Sequence, residues 1–219
     1  VEPLHWGKDQ PGMQAYEELQ GGDRQHAIEL WHEACENALN SATKMQAVGL
    51  HKQVSNRVLE PFMWQETIIT STEWANWFGL RYHTAAQPEI GNLAVLMYNA
   101  MQDSTPKRLG MNDWHLPYIT EEERELYKPD VLCKASSGRC ARVSYSNHDG
   151  TDCNVKVDVN LFKRLVGDVP KHASPTEHQG KPTGGCGDNR LTGNFTGWNQ
   201  FRKTIENENL TEFEVGMYE

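Results

Sequence analysis

Two arginines in apolar surroundings are the first residues of this chain that could do chemistry. Arg57 lies beside the apolar stripe Leu50, Val54 and Val58, four residues before Pro61. Arg81 follows Trp77-Phe78-Gly79-Leu80 at the mouth of a helix–helix turn. A guanidinium is rarely buried without a partner, and its planar fork suits a phosphate or a carboxylate. The pair therefore reads as a grip on an anionic ligand, or more plainly as two surface ion pairs with Glu60, Glu73 or Glu89. His172, Ser174, Glu177 and His178 form a second cluster, within seven residues. These groups serve hydrolases and metal sites, but His-x5-His around Pro175 is not i,i+4 spacing and no G-x-S-x-G elbow is present. A structured turn with side-chain hydrogen bonds is the plainer reading and a metal the alternative. Cys35, Cys133, Cys140, Cys153 and Cys186 are odd in number and lack C-x-x-C spacing, so reduced thiols are expected and a zinc site is not. None of them sits in a recognisably activated setting.

The elements that must position these groups follow from periodicity and punctuation. Asp23 can cap a helix to about Val48, with Ile28, Trp31, Cys35, Ala38, Ala42 and Met45 on one face and Gly49 as its stop. The spacing predicts a helix over Leu50–Leu59, stopped by Glu60-Pro61. Phe62–Thr70, rich in aromatic and β-branched residues, reads as a strand or a covered extended run. Ser71 or Thr72 can cap a short helix Glu73–Leu80, and Pro88 suits the first turn of a helix carrying Ile90, Leu93, Met97 and Met101. Thr120 to Glu123 spells a capping box whose acidic run reads as a solvated helix start, with no chemistry assigned. A helix ending in Ala141-Arg142-Val143-Ser144 is expected, weakened by Ser136, Ser137 and Gly138. Asp158 can cap a helix with Leu161, Phe162, Leu165 and Val166. Gln179 to Arg190 reads as a flexible Gly-rich connection, not a phosphate cradle. Asn194–Ile205 reads as an aromatic-packed helix in which Gln200 and Arg202 take surface roles or face a site. The acidic tail to Glu219 reads as loose.

A chain of 219 residues can bury a sizeable core, and its seven tryptophans help supply one. Its formal net charge of −9 argues against a general nucleic-acid surface, so an anionic ligand needs a local arginine cluster. No apolar run approaches the ~20 residues that cross a bilayer, and no signal peptide is visible. With reduced thiols, these features favour the cytoplasm.

The run Asn56-Arg57-Val58-Leu59-Glu60-Pro61, the Thr/Ser-rich stretch after it, Glu73-Trp74-Ala75-Asn76-Trp77-Phe78-Gly79-Leu80-Arg81 and Ala86-Gln87-Pro88-Glu89-Ile90 resemble the second half of a flavin-dependent thymidylate synthase, close to the versions carried by phages. Cys140-Ala141-Arg142-Val143-Ser144 and His172 to His178 are similar to segments that the family carries in its first half. Here they come second, so the order looks circularly permuted, which close surface termini tolerate. About three-quarters of the chain carries the resemblance. It implies an α+β fold, a mainly helical chain around a small antiparallel sheet. A single domain over residues 1–219 would have a helical half with the nucleotide arginines (1–101) and a permuted FAD-site half (118–205).

The implied activity is reductive methylation of dUMP to dTMP, with methylenetetrahydrofolate as one-carbon donor and FAD reduced by NADPH. Arg57 would grip the dUMP phosphate, and Arg81 would lie against the pyrimidine as the catalytic group. Asn76, Leu80, Thr70, Thr72, Ser144, His172, Ser174 and Glu177 would hold FAD, Ser144 near its phosphates; no metal is implied. Thr70, Thr72 and Ala85 depart from the family's usual Asn, Arg and His. The resemblance further implies a homotetramer with shared sites, in the cytoplasm of a host if phage-encoded. The family signature R-H-R-x7-S is not in the sequence; in a permuted protein it would fall upstream of Val1. A catalytically incomplete partner or remnant of the fold, or a related pyrimidine-modifying enzyme, are therefore the alternatives.

Overall fold

A computed structural model describes residues 1–11, 15–147, 149–185 and 188–209, with Asn189 by its main chain only. Cys186 and the acidic tail from residue 210 lie outside the described residues. Packing divides the chain into two units, Val1–Gln65 with Trp74–Thr105, and Glu66–Glu73 with Pro106–Glu219. The described residues are mainly helical with one two-stranded antiparallel sheet, an α+β composition. No described helix is long and apolar enough to cross a membrane.

The first unit is helical. α1 (Gly21–Ala47) presents the expected face: Ile28, Trp31, Cys35, Ala38 and Met45 are half-buried and Ala42 is buried. Trp31 meets Trp6 and Phe62 edge-on, with ring centroids 6.3 and 5.0 Å away. Asp23 stands inside the first turn and Gln20 holds the cap position without a side-chain bond. Gly49, at φ 83°, takes the left-handed position after the helix, as expected. The predicted helix Leu50–Leu59 is only α2 (Lys52–Ser55), after which Asn56–Phe62 tightens into a 3-10 turn. Pro61, inside that turn, is the reason: it has no N–H to give and disfavours α geometry in Glu60. α3 (Ala75–Arg81) and α4 (Pro88–Asp103) pack together, with Phe78 and Tyr82 both edge-on to Tyr98 at 5.4 and 5.5 Å. Pro88 begins α4 as its sequence position implies.

The second unit holds α5 (Glu121–Leu126), α6 (Pro129–Arg142), α7 (Val155–Gly167), and strands β1 (Gly180–Pro182) and β2 (Trp198–Gln200). β1 and β2 pair Gly180 with Gln200, Lys181 with Asn199 and Pro182 with Trp198. The predicted strand Phe62–Thr70 does not form. Phe62 closes the 3-10 turn, residues 63–70 run without a ladder, and Thr70 bonds to a side chain instead. β propensity describes fit to a pleated surface, and no edge takes this segment up. The Gly-rich connection supplies β1, so it is not loop throughout. The predicted helix Asn194–Ile205 is replaced by β2 and a 3-10 turn, Phe201–Thr204. Gly197, at φ 73°, turns the chain where that helix would need right-handed backbone. The core gathers Leu116, Ile119, Leu132, Cys133, Ala135, Val155, Phe162 and Phe201. Burying Phe162 alone contributes roughly 1.5–3 kcal/mol.

α6 crosses α7 so closely that a Cβ on Gly138 would lie 2.4 Å from the Asp158 carbonyl oxygen. The residues that weaken helix propensity are therefore what the packing requires. Arg139, 1 % exposed, donates Nε to Asp158 Oδ2 at 2.8 Å, and both terminal nitrogens to Glu123, at 2.8 and 2.6 Å. One of those nitrogens also reaches the Tyr118 carbonyl at 2.5 Å. Arg142 donates to the other oxygen of Asp158 at 2.5 Å. Asp158 is thus no cap: it is fully buried, while Asn154 caps α7 by accepting the Lys156 N–H. Glu123 closes the expected capping box with Thr120, but it is not merely a solvated acid. The Arg139 hydrogen bond holds its carboxyl below the ordinary carboxylate value, despite an opposing contribution from burial. Burial alone would lower the Arg139 guanidinium, yet the hydrogen bonds it donates to Glu123 and Asp158 carry it above its ordinary value.

Removing one partner of a buried pair strands the other, so Arg139→Ala should destabilise the protein by about 3–5 kcal/mol. Gly138→Ala should cost about 1–3 kcal/mol by overpacking. Urea unfolding measures both, and a Gly138→Ala protein as stable as wild type would contradict this helix contact.

Candidate functional site

The buried side chain of Gln179 locks the end of the His172–His178 segment against α6. Its Nε2 donates to Ser136 Oγ at 3.1 Å and to Cys140 Sγ at 3.4 Å, and its Oε1 accepts from Ser137 Oγ at 3.1 Å. Its carbonyl accepts the Phe201 N–H at 2.9 Å, and Gly180 exchanges backbone hydrogen bonds with His115. Gln179 and Gly180 therefore tie α6, β1, the His115 segment and the turn after β2 together. Just before them, Ser174–Glu177 forms a 3-10 turn in which Thr176 Oγ1 donates to the Ala173 carbonyl at 2.5 Å. That is the structured turn that the spacing favoured. Among the described residues no group of three His, Cys, Asp or Glu side chains is placed to hold a metal ion.

Thr70 and Thr72 reach this region on the segment Glu66–Glu73. Thr70 Oγ1 and His178 Nδ1 are 3.1 Å apart, and Thr72 Oγ1 accepts the Thr196 N–H at 2.9 Å. Thr70, Ser71 and Thr72 line a pocket of about 170 Å³ with His115, Gly180, Phe195 and Trp198. Gly180 lets the Phe195 ring pack close, since a Cβ there would lie 3.0 Å from it and the ring would have to give way. Burial holds the His178 imidazole below its ordinary value, against the pull of Glu177. His115 is shifted the same way by desolvation of its ring and by the Arg124 and His178 charges.

Glu177 turns away from that pocket to pair with Arg202, which also donates Nε to Glu208 Oε2 at 2.6 Å. Gln200, expected as a surface residue, is buried and donates Nε2 to the Glu177 carbonyl at 3.0 Å and to Asn194 Oδ1 at 2.7 Å. Glu177, Gly193, Asn194, Gln200, Arg202 and Lys203 line a polar cleft of about 390 Å³. His172 donates its backbone N–H to the Leu165 carbonyl, and the side chains of His172 and Ser174 are exposed. Ser144 lies elsewhere in the unit, accepting the Ser146 N–H at 2.9 Å, in an open groove of about 530 Å³. Glu66, Thr67, Tyr118, Val143, Tyr145 and Ser146 complete that groove, and none of its described lining residues is cationic.

The dUMP arginines belong to the first unit. Arg57 lies on the 3-10 turn packed with α1, and Arg81 ends α3, beside α4. Both are exposed, and neither guanidinium has a hydrogen bond or ion pair among the described residues. The plainer alternative, pairing with Glu60, Glu73 or Glu89, is thereby not what the structure adopts. Asn76 and Leu80 are exposed on α3. The structure thus brings Thr70 and Thr72 to one pocket with His178 bonded to Thr70, places Glu177 at another cleft, and sets Ser144 in a separate groove.

Sequence reasoning passed over Gln179 and the Arg139–Asp158 pair, and left Gln200 between a surface role and a site. An arginine amid the small residues Ala135, Ser136, Ser137, Gly138 and Ala141 is the available signal for the last, since such a face predicts close packing. The described cysteines carry no bridge, and burial pushes the Cys133 and Cys140 thiols up to about 12, so neither is a nucleophile at neutral pH. No family model, curated protein or solved structure matches this chain.

His178 has a lowered folded value, so its contribution to stability is complete above its ordinary 6.5 and is lost as the pH falls through the folded value. Unfolding free energy should therefore drop on acidification below about 6.5. The drop should be smaller in His178→Gln, with His115 supplying what remains; an identical pH profile for the two proteins would refute the assignment.

Proposed function

We propose that the chain acts in flavin-dependent thymidylate synthesis, converting dUMP to dTMP with methylenetetrahydrofolate and FAD reduced by NADPH. The observation that carries this reading is the 3.1 Å hydrogen bond between Thr70 Oγ1 and His178 Nδ1, beside a pocket lined by Thr70, Thr72, Phe195 and Trp198. That bond joins two stretches that the sequence resemblance assigned separately to the flavin, 108 residues apart at Thr70 and His178, and so supports the reading. On the resemblance, Glu177, His172 and Ser174 are further FAD contacts proposed within the second unit. Arg57 and Arg81 suit dUMP because both guanidinium groups are exposed and unpaired, free to meet a phosphate and a developing enolate. The protein's share of the work is positioning and charge stabilisation, with no thiolate nucleophile. Leu93, Leu96, Met101 and Trp64, all exposed on the first unit, support the proposed homotetramer with shared sites.

A second reading is a nucleotide-binding partner without turnover. Adding FAD to the purified protein, then dUMP, methylenetetrahydrofolate and NADPH, separates the two. A flavin absorbance band that stays with the protein, with dTMP formed, supports the enzyme. Flavin and dUMP binding without dTMP supports the partner, and a colourless protein indifferent to both ligands removes both readings. Arg81→Ala should abolish dTMP formation while FAD stays bound. Arg57→Ala should weaken dUMP binding about tenfold or more, the worth of a charge-assisted hydrogen bond. Turnover retained in Arg81→Ala would take that residue out of the chemistry.

A further inference from the structure

Tyr118 and Val143 have left-handed backbone, at φ 62° and 51°, and both line the groove that contains Ser144. An aromatic and a β-branched side chain are poor occupants of that region, so the surroundings must over-determine them. They do. The Tyr118 carbonyl is held by the buried Arg139, the Pro117 carbonyl by Ser136 Oγ at 2.8 Å, and the Val143 and Ser144 N–H groups close the end of α6. This rigid frame presents a Tyr118–Tyr145 pair, edge-on with centroids 4.7 Å apart, and Tyr145 is 56 % exposed. Glu66 stands at the same groove, and burial, Cys140 and Glu66 together push the Tyr118 phenol above its ordinary value. Neither phenol nor the Glu66 carboxylate has a hydrogen-bond partner among the described residues.

A flat aromatic face beside a free carboxylate, with no cation in the lining, selects a particular ligand chemistry. The face takes a planar ring. The carboxylate only accepts hydrogen bonds, so it takes a ring edge with two adjacent N–H donors and repels an edge that turns a carbonyl or bare ring nitrogen toward it. Uracil and thymine flank their N–H with carbonyls, and adenine and neutral cytosine set an acceptor beside their amino group. A phosphate would find no counter-charge here. We propose that this groove binds a 2-amino-4-oxopyrimidine ring, as in a pterin or a guanine, stacked on Tyr145 with its amino–imino edge on Glu66. The choice of the pterin rests on the proposed function, which requires a folate; the ring chemistry does not. The groove then serves the folate in place of the flavin phosphates that the resemblance assigned to Ser144.

Calorimetric titration of the full chain with folic acid, guanosine and inosine tests this. Saturable binding of folic acid is expected, weakened about tenfold or more by Tyr145→Ala and by Glu66→Gln, with unfolding midpoints unchanged. Inosine, which lacks the 2-amino group, should bind about tenfold more weakly than guanosine. Guanosine bound in preference to folic acid would support the ring chemistry and overturn the pterin. No saturable binding of either probe, or binding indifferent to both substitutions, would overturn the proposal. Neither result depends on FAD or dUMP, so a groove that binds folic acid in a protein that makes no dTMP leaves this inference standing and removes the proposed function.

Discussion

A guanidinium taken out of water must be matched on every side, and the second unit is arranged around that demand. Arg139 draws Glu123 from the start of α5, Asp158 from the first turn of α7 and the Tyr118 carbonyl from the segment just before α5. Such a network gives little net stability over an apolar replacement, because desolvation offsets most of the attraction. What it imposes is geometry. Each acid can satisfy the arginine from one position only, so the relative placement of three helices is settled by a single side chain. Gly138, one residue earlier, lets α7 approach near enough for Asp158 to reach.

The same helix face holds the candidate site. Ser136 and Ser137, one turn before the arginine, have no room for larger neighbours and receive the Gln179 carboxamide instead. From Gln179 the chain enters β1 directly, so the His178 ring and the floor of the Phe195–Trp198 pocket inherit their positions from α6. Tyr118 and Val143 inherit theirs from Arg139 and the end of α6. The groove and the pocket are thus two outlets of one buried frame.

Local signals gave the elements whose reasons are local. The face of α1, Pro88 at the start of α4, the Thr120–Glu123 capping box and the helix ending at Arg142 were all legible, because caps, prolines and period-3.6 stripes act within a few residues. Phe62–Thr70 and Asn194–Ile205 misled for the converse reason. The first has strand composition without an edge to join, and the second has a helical stripe crossed by Gly197. The partners of Arg139 were not legible. Glu123 and Asp158 stand 16 and 19 residues away, and both looked like ordinary helix-start acids. Thr70 and Thr72 were named as site residues while their contacts, with His178 and Thr196, lie more than a hundred residues along the chain. For the exposed Arg57 and Arg81, residue type was all that the sequence could offer, and the surrounding packing adds only that they are unpaired.

Glu66–Glu73 belongs to one unit while the residues on either side of it belong to the other. The polypeptide consequently crosses between the units three times, at 65/66, 73/74 and 105/106. Neither unit can be cut out as one uninterrupted piece: an excision at Pro106 would discard both threonine hydroxyls and Glu66 together. Recombination between relatives would have to exchange the two units as a set, so the lent octapeptide makes them a single unit of inheritance.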